Sequence, residues 1–165
     1  MSGLTVDTIT DSNGNEHARL VQVVNVTDGA VATGTTTMPN DDTIPQNTEG
    51  NEFMTLSITP TNTNNILLIE VTAVFAHTSG SVYTGALFQD STANALAASQ
   101  ILPVANTPTS MNITHYMTAG TVSSTTFKVR IGSSSAGTLT FNGASSARKN
   151  GGVSSSSITI SEIRV

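Results

Sequence analysis

Apolar residues in this chain recur mainly at every second position, the period of a strand and not of a helix. The pattern is clearest from residue 53 onward. Phe53 to Thr59 (FMTLSIT) alternates, and Pro60 with Asn62, Asn64 and Asn65 closes it. Ile66 to Ala76 (ILLIEVTAVFA) is the longest apolar stretch. Its β-branched residues and its one acid, Glu70, predict a strand buried on one face and partly covered on the other. Val82 to Gln89 reads as the next strand, set between the turns Ser79-Gly80-Ser81 and Asp90-Ser91-Thr92. Leu96 to Val104 is ambiguous: its alanines allow a helical turn, and Pro103 opposes a long one. Met111 to Thr118 and Thr125 to Ile131 alternate strongly, Gly137 to Asn142 is short, and Gly143 to Gly152 reads as a loop. Ser156 to Val165 alternates to the end, so Ile158, Ile160 and Ile163, or their neighbours across a bulge, are expected to close the core.

The first third is less regular. Residues 1–19 read as an extended arm, with a short alternation at Thr5 to Ile9 and a turn cluster at Asp11 to Asn15. Leu20 to Val26 is a short β run, and Ala30 to Thr37 is Thr-rich and weakly β. Residues 38–52 read as a loop, because Pro39, Pro45 and the acids Asp41, Asp42, Glu49 and Glu52 oppose regular structure. About eight strands therefore follow one another from residue 53, with Gly, Ser, Asn and Pro turns between them. Such spacing indicates an all-β fold, an antiparallel β-sandwich or jelly roll. The expected organisation is an arm over 1–19 and a sandwich domain over 20–165. Within the latter, 20–52 supplies a strand and an acidic loop leading in. No amphipathic helix separates the strands, which argues against a parallel α/β sheet. No fixed period supports a solenoid or propeller.

Composition narrows the function classes. The 165 residues hold no Cys, which excludes disulfides, thiolate zinc sites and cysteine nucleophiles. No apolar run approaches the ~20 residues of a membrane-spanning helix, and Met1 to Asp7 lacks the pattern of a secretion signal. Charged residues are only 10% of the chain. Residues 1–90 carry ten acids and one base, Arg19, while residues 91–165 carry one acid and five bases. The two regions can attract one another between neighbouring copies, with Asp41 and Asp42 facing Arg148 and Lys149. Alternatively, a sparse charge set is simply scattered unevenly. An acidic chain without a run of bases is not expected to bind nucleic acid. Thr and Ser suit a wet pleated surface. Sheet edges with so few charges invite pairing with other chains, so burial in a symmetric oligomer is expected.

Catalytic chemistry is nearly absent from the text. His17, His77 and His115 share no metal-ligand spacing, and HExxH, GxSxG, Walker and GxGxxG patterns are missing. Asp11 to Glu16 superficially resembles a calcium loop, but its glycine is misplaced and the closing glutamate is missing. The acids of the 38–52 loop are close enough in sequence to hold Ca²⁺ or to pair with bases of another chain; a solvated loop is the default. Asn25-Val26-Thr27 and Asn112-Ile113-Thr114 match a glycan acceptor pattern as expected by chance in so Asn- and Thr-rich a chain. No catalytic, cofactor or metal residue is assigned.

Several phrases carry a family likeness. They are Gly34 to Gly50 (GTTTMPNDDTIPQNTEG), Ala86 to Ala97 (ALFQDSTANALA), Met117 to Thr121 with Phe127 to Arg130, and Ile158 to Ile163. Together they resemble segments of tailed-bacteriophage virion structural proteins, capsid decoration proteins and tail-fibre tips. The opening, Leu4 to Asp11, resembles phage-fibre N-termini. The resemblance implies a jelly-roll head, commonly trimeric, on a virion assembled in the host cytoplasm. It supplies no catalytic residues. The expected function is a non-enzymatic cement protein that binds and stabilises the shell as a homotrimer, contacting the major capsid protein or another virion protein. Leu4, Val6, Ile9 and Asp11 of the arm would hold the particle, since about 20 extended residues reach up to ~70 Å. The alternative is a tail-fibre or receptor-binding tip that adheres to a host surface glycan or protein. An enzyme such as a depolymerase would need paired carboxylates, available only from Glu70, Asp90 or the acidic loop. Neither nucleic acid nor membrane is an expected partner.

Overall fold

The computed structural model describes Ser12 and residues 19–165. Of the expected arm only Ser12 and Arg19, which opens the first strand, are described; Leu4, Val6, Ile9, Asp11 and His17 lie outside the described residues. So does the calcium-like segment, apart from Ser12.

Eight strands carry the fold: β1 (Arg19–Asp28), β3 (Asn51–Ile58), β4 (Ile66–His77), β5 (Tyr83–Gln89), β6 (Ala97–Ile101), β7 (Thr109–Thr118), β8 (Thr125–Ser133) and β12 (Ser156–Arg164). Short strands β2 (Ala32–Gly34), β9 (Leu139–Phe141), β10 (Gly143–Ala144) and β11 (Ala147–Arg148) complete the set. Among the eight, the first pairs with the last, the second with the seventh, the third with the sixth and the fourth with the fifth, all antiparallel. That nesting is a long hairpin rolled up on itself, the jelly roll. One sheet has six strands: β7 lies against one side of β4, and β12 and β9 share the other side. β1 flanks β12, and β2 flanks β9. The second sheet runs β3-β8-β5-β6.

The core lies between the sheets. Leu67, Ile69, Val71 and Phe75 of β4 meet Leu87 of β5 and Phe127, Val129 and Ile131 of β8 in one cluster. Period-two alternation places them there, since successive strand residues face opposite sides. Phe53 stacks on Phe141 with ring centroids 4.9 Å apart. Asp90, in left-handed backbone (φ 51°) after β5, accepts hydrogen bonds from Thr126 N and Thr125 Oγ1 at 2.8 and 2.9 Å. Aspartate tolerates that conformation better than most residues.

The structure resolves or corrects three sequence readings. Leu96 to Val104 contains strand β6, which ends before Pro103. The 143–152 loop contains a two-strand hairpin and a 3₁₀ turn at Asn150–Gly152. Ile158 and Ile160 are fully buried, but Ile163 is turned to the outer face and Glu162 occupies the inward position. β12 keeps strict alternation, so two residues beyond Ile160 the inward place falls to the acid.

Candidate interaction surface

The two outer faces are treated differently. The four-stranded sheet is covered by the chain's own 35–50 segment, which holds the expected acidic loop except for Asn51 and Glu52, and these two already belong to β3. Met38 is fully buried against Ala86 and Phe88, both of which point outward from β5. Backbone bonds hold the segment down: Met38 N donates to Ser133 O at 3.0 Å and Gly50 N to Thr37 O at 2.9 Å. The Arg130 guanidinium donates to Glu49 O and Gly50 O, both at 2.8 Å. Gly132 is needed under it, because a Cβ there would lie 2.8 Å from Met38 Cβ.

Among the described residues no segment covers the outer face of the six-stranded sheet, and register divides it into rows. Leu20, Ile163 and Ile66 form one apolar row, ending at Thr118. In the next row Val23, Ser161, Leu68 and Tyr116 lie side by side. The following rows are polar: Asn25, Thr159, Glu70 and Thr114, then Thr27, Ser157, Thr72 and Asn112. Tyr116 is 61% exposed and Val23 49%. They stand at opposite ends of that row, three strand spacings apart, with Ser161 and Leu68 between them. Of the seven aromatics, Tyr116 is the one that stands out in solvent; Phe53 is half-buried and the others are buried.

The expected charge-pairing residues occupy different places. Asp41 and Asp42 are exposed on the loop, beside an open groove formed with Ala95–Ala98 of β6 and its lead-in. Thr43 donates to Asp41 Oδ1 through its hydroxyl at 2.5 Å and its N–H at 2.9 Å, which holds that carboxyl below its ordinary range. Arg148 and Lys149 are exposed at the β10–β11 hairpin. Among the described residues these four form no ion pair within the chain. The two ion pairs there both fall on Glu52, from Lys128 at 3.9 Å and Arg130 at 3.6 Å. The loop acids do not converge: Glu49 accepts from Gln46 N, Glu52 faces the two bases, and Asp41 is held by Thr43. No group of three potential metal ligands is present among the described residues.

Two buried polar sites escaped the sequence. Glu162 is wholly inaccessible. Its Oε1 accepts from Asn65 Nδ2 at 2.5 Å and from Thr61 N and Oγ1, both at 2.8 Å; its Oε2 accepts from Gln22 Nε2 at 2.6 Å. Burial alone would raise this carboxyl, but the four donors outweigh it and hold it at about 2. The network ties β1, the β3–β4 turn and the end of β12 together. At the opposite end of β4, Asn142 (φ 54°) donates to Asp28 O and Ala30 O at 2.7 and 3.0 Å. It also accepts from Ser156 Oγ at 2.7 Å. His77 is buried beside Tyr83 and accepts from Ser79 N at 3.0 Å through Nδ1. Burial lowers its pKa, more than its backbone hydrogen bonds raise it. His115 is also shifted down by burial. One signal for the open face was available in the text: β4 is apolar at both parities over Ile66–Ile69, before Glu70 and Thr72 make the outer face polar.

No family model and no curated protein sequence matches the chain. Several solved structures are similar to it. The Eiger TNF from S. frugiperda is 11% identical, with 88% of this chain and 94% of that one covered and a TM-score of 0.50. The EclA C-terminal domain, a sugar-binding protein, is 16% identical over 86% of this chain and 95% of that one, with a TM-score of 0.39. VP2 of the infectious bursal disease virus subviral particle is 12% identical, with 100% of this chain and 41% of that one covered and a TM-score of 0.41. The likeness to Eiger shows the fold, an antiparallel jelly-roll sandwich, and nothing further.

Proposed function

We propose that this chain is a non-enzymatic structural protein of a bacteriophage virion, a decoration protein that binds the shell as a homotrimer and stabilises it. One observation carries the reading: among the described residues, the 35–50 segment covers one sheet and no segment covers the other, which has apolar side chains at one end. Large exposed apolar patches mark sites of association. The buried polar groups at Glu162 and Asn142 are consumed in holding strands and turns together, as suits a scaffold. The phage-like phrases at Gly34–Gly50 and Ala86–Ala97 support the virion setting. Contacts made only in the assembled particle would stabilise the shell by mass action.

The test is to strip the protein from particles. Loss of heat or osmotic resistance with intact adsorption to the host supports decoration. Lost adsorption with an intact shell overturns it in favour of a receptor-binding tip. Imaging the protein at the tail end of the particle, away from shell symmetry positions, also overturns it.

A further inference from the structure

We infer that the apolar end of the open face, built on Val23, Leu68 and Tyr116, is the contact between copies of this chain. The inference rests on the oligomeric reading above and names the surface that forms the oligomer. Register puts these side chains in one row across β1, β12, β4 and β7, with Leu20, Ile163 and Ile66 in the row beside it. An apolar patch flanked by hydroxyl and amide rows has the layout of an interface core with its polar rim.

A second copy fits this face better than a charged partner does. Glu70 is the sole charged side chain in those four rows. An anionic partner would bury charge there without a counter-ion, and a cationic one would find only Glu70; burying unpaired charge is costly. This chain is only 10% charged, so a second copy can cover the patch with little charge to desolvate. The size also points outward from the sheet itself. Strands ~4.8 Å apart and like-facing residues ~7 Å apart give the four rows on four strands an area of roughly 540 Å². A stable interface takes about 800 Å² per partner. Tyr116 lies on β7, which among the described residues pairs with β4 alone. The contact can therefore continue past the rim onto that strand's free edge, which also shields the edge from indiscriminate pairing.

The experiment is light scattering or sedimentation of the full chain and of the variants Tyr116→Lys and Val23→Lys. Both sites are already solvent-exposed, so the fold should survive, as circular dichroism and cooperative unfolding will report. Val153→Lys, at an exposed site away from this face (85% accessible), is the control. The inference expects an oligomeric wild type and control, and a mass falling to that of one chain in both face variants. It is overturned by a monomeric wild type. It is also overturned by folded face variants that keep the wild-type mass. If those variants keep their mass and lose particle binding, the face contacts the shell instead. A normal oligomer that is absent from particles leaves this surface intact and refutes the virion role alone.

Discussion

Replacing Glu162 with glutamine removes one charge from the interior while keeping the side chain's size. The amide oxygen can still accept from Asn65 and Thr61. The amide nitrogen then faces Gln22 Nε2, donor against donor. Gln22 can relieve this only by turning its own amide, which gives up its 2.9 Å bond to Thr59 O. The carboxyl titrates at about 2 in the fold against 4.5 in the unfolded chain. At ~1.36 kcal/mol per pKa unit, that gap is worth up to about 3 kcal/mol, and nearer 2 kcal/mol after discounting for screening. The sign follows from linkage. The folded pKa is depressed, so the contribution is complete above pH 4.5 and is lost as pH falls toward 2. Urea unfolding at fixed protein concentration should therefore find Glu162→Gln less stable by about 2–3 kcal/mol at pH 7. For a domain of this size the Tm drops by roughly 4–10 °C. The gap between variant and wild type should narrow steadily from pH 4.5 to pH 2. A gap that is the same at pH 7 and pH 2.5, or one under about 0.5 kcal/mol at pH 7, refutes the reasoning.

Other outcomes follow from the same structure. Asn142→Ala removes the donor to Asp28 O and Ala30 O, leaves the Ser156 hydroxyl proton without its acceptor and places alanine in left-handed backbone; calorimetry should show about 2–4 kcal/mol lost. Met38→Ala opens a cavity over Phe88 and Ala86, costing about 2–3 kcal/mol. Limited proteolysis should then cut the 35–50 segment first, while hydrogen exchange in β12 stays slow. His77 has a lowered pKa in the fold, so below about pH 6.5 the unfolded chain takes up its proton first and stability declines. Urea midpoints at pH 7.5 and 5.5 should differ in that direction. His77→Asn, whose amide oxygen can accept from Ser79 N, should reduce the difference without abolishing it, because His115 is shifted the same way.

The strands were legible because one sandwich face is dry and the other wet, so burial prints a period of two on the text. Phe75, Tyr83, Phe127 and Ile160 are all inward for that reason. The position of Glu162 was not legible, because an acid at an inward parity is tolerable only with donors from Gln22, Thr61 and Asn65, which lie about 100 residues or more away in sequence. The tertiary fold alone brings those donors to it. Met38 was hidden for a related reason: nothing in a proline- and acid-bearing loop signals that it will be laid over the outward side chains of β5. The open face was half visible. Leu68 sits in an apolar run that reads as interior, and only the pairing of β4 with β7 and β12 reveals that Leu68 joins Tyr116 and Val23 outside. The acidic and basic residues, Asp41, Asp42, Arg148 and Lys149, are on the surface as expected of charges.

Association between copies is the property to measure first, and sedimentation equilibrium of the intact wild-type chain reads it directly. The expected result is a single species at three times the 17.0 kDa chain mass, persisting to low micromolar concentration. A folded species that stays at the mass of one chain at every concentration, in the absence of particles, contradicts it.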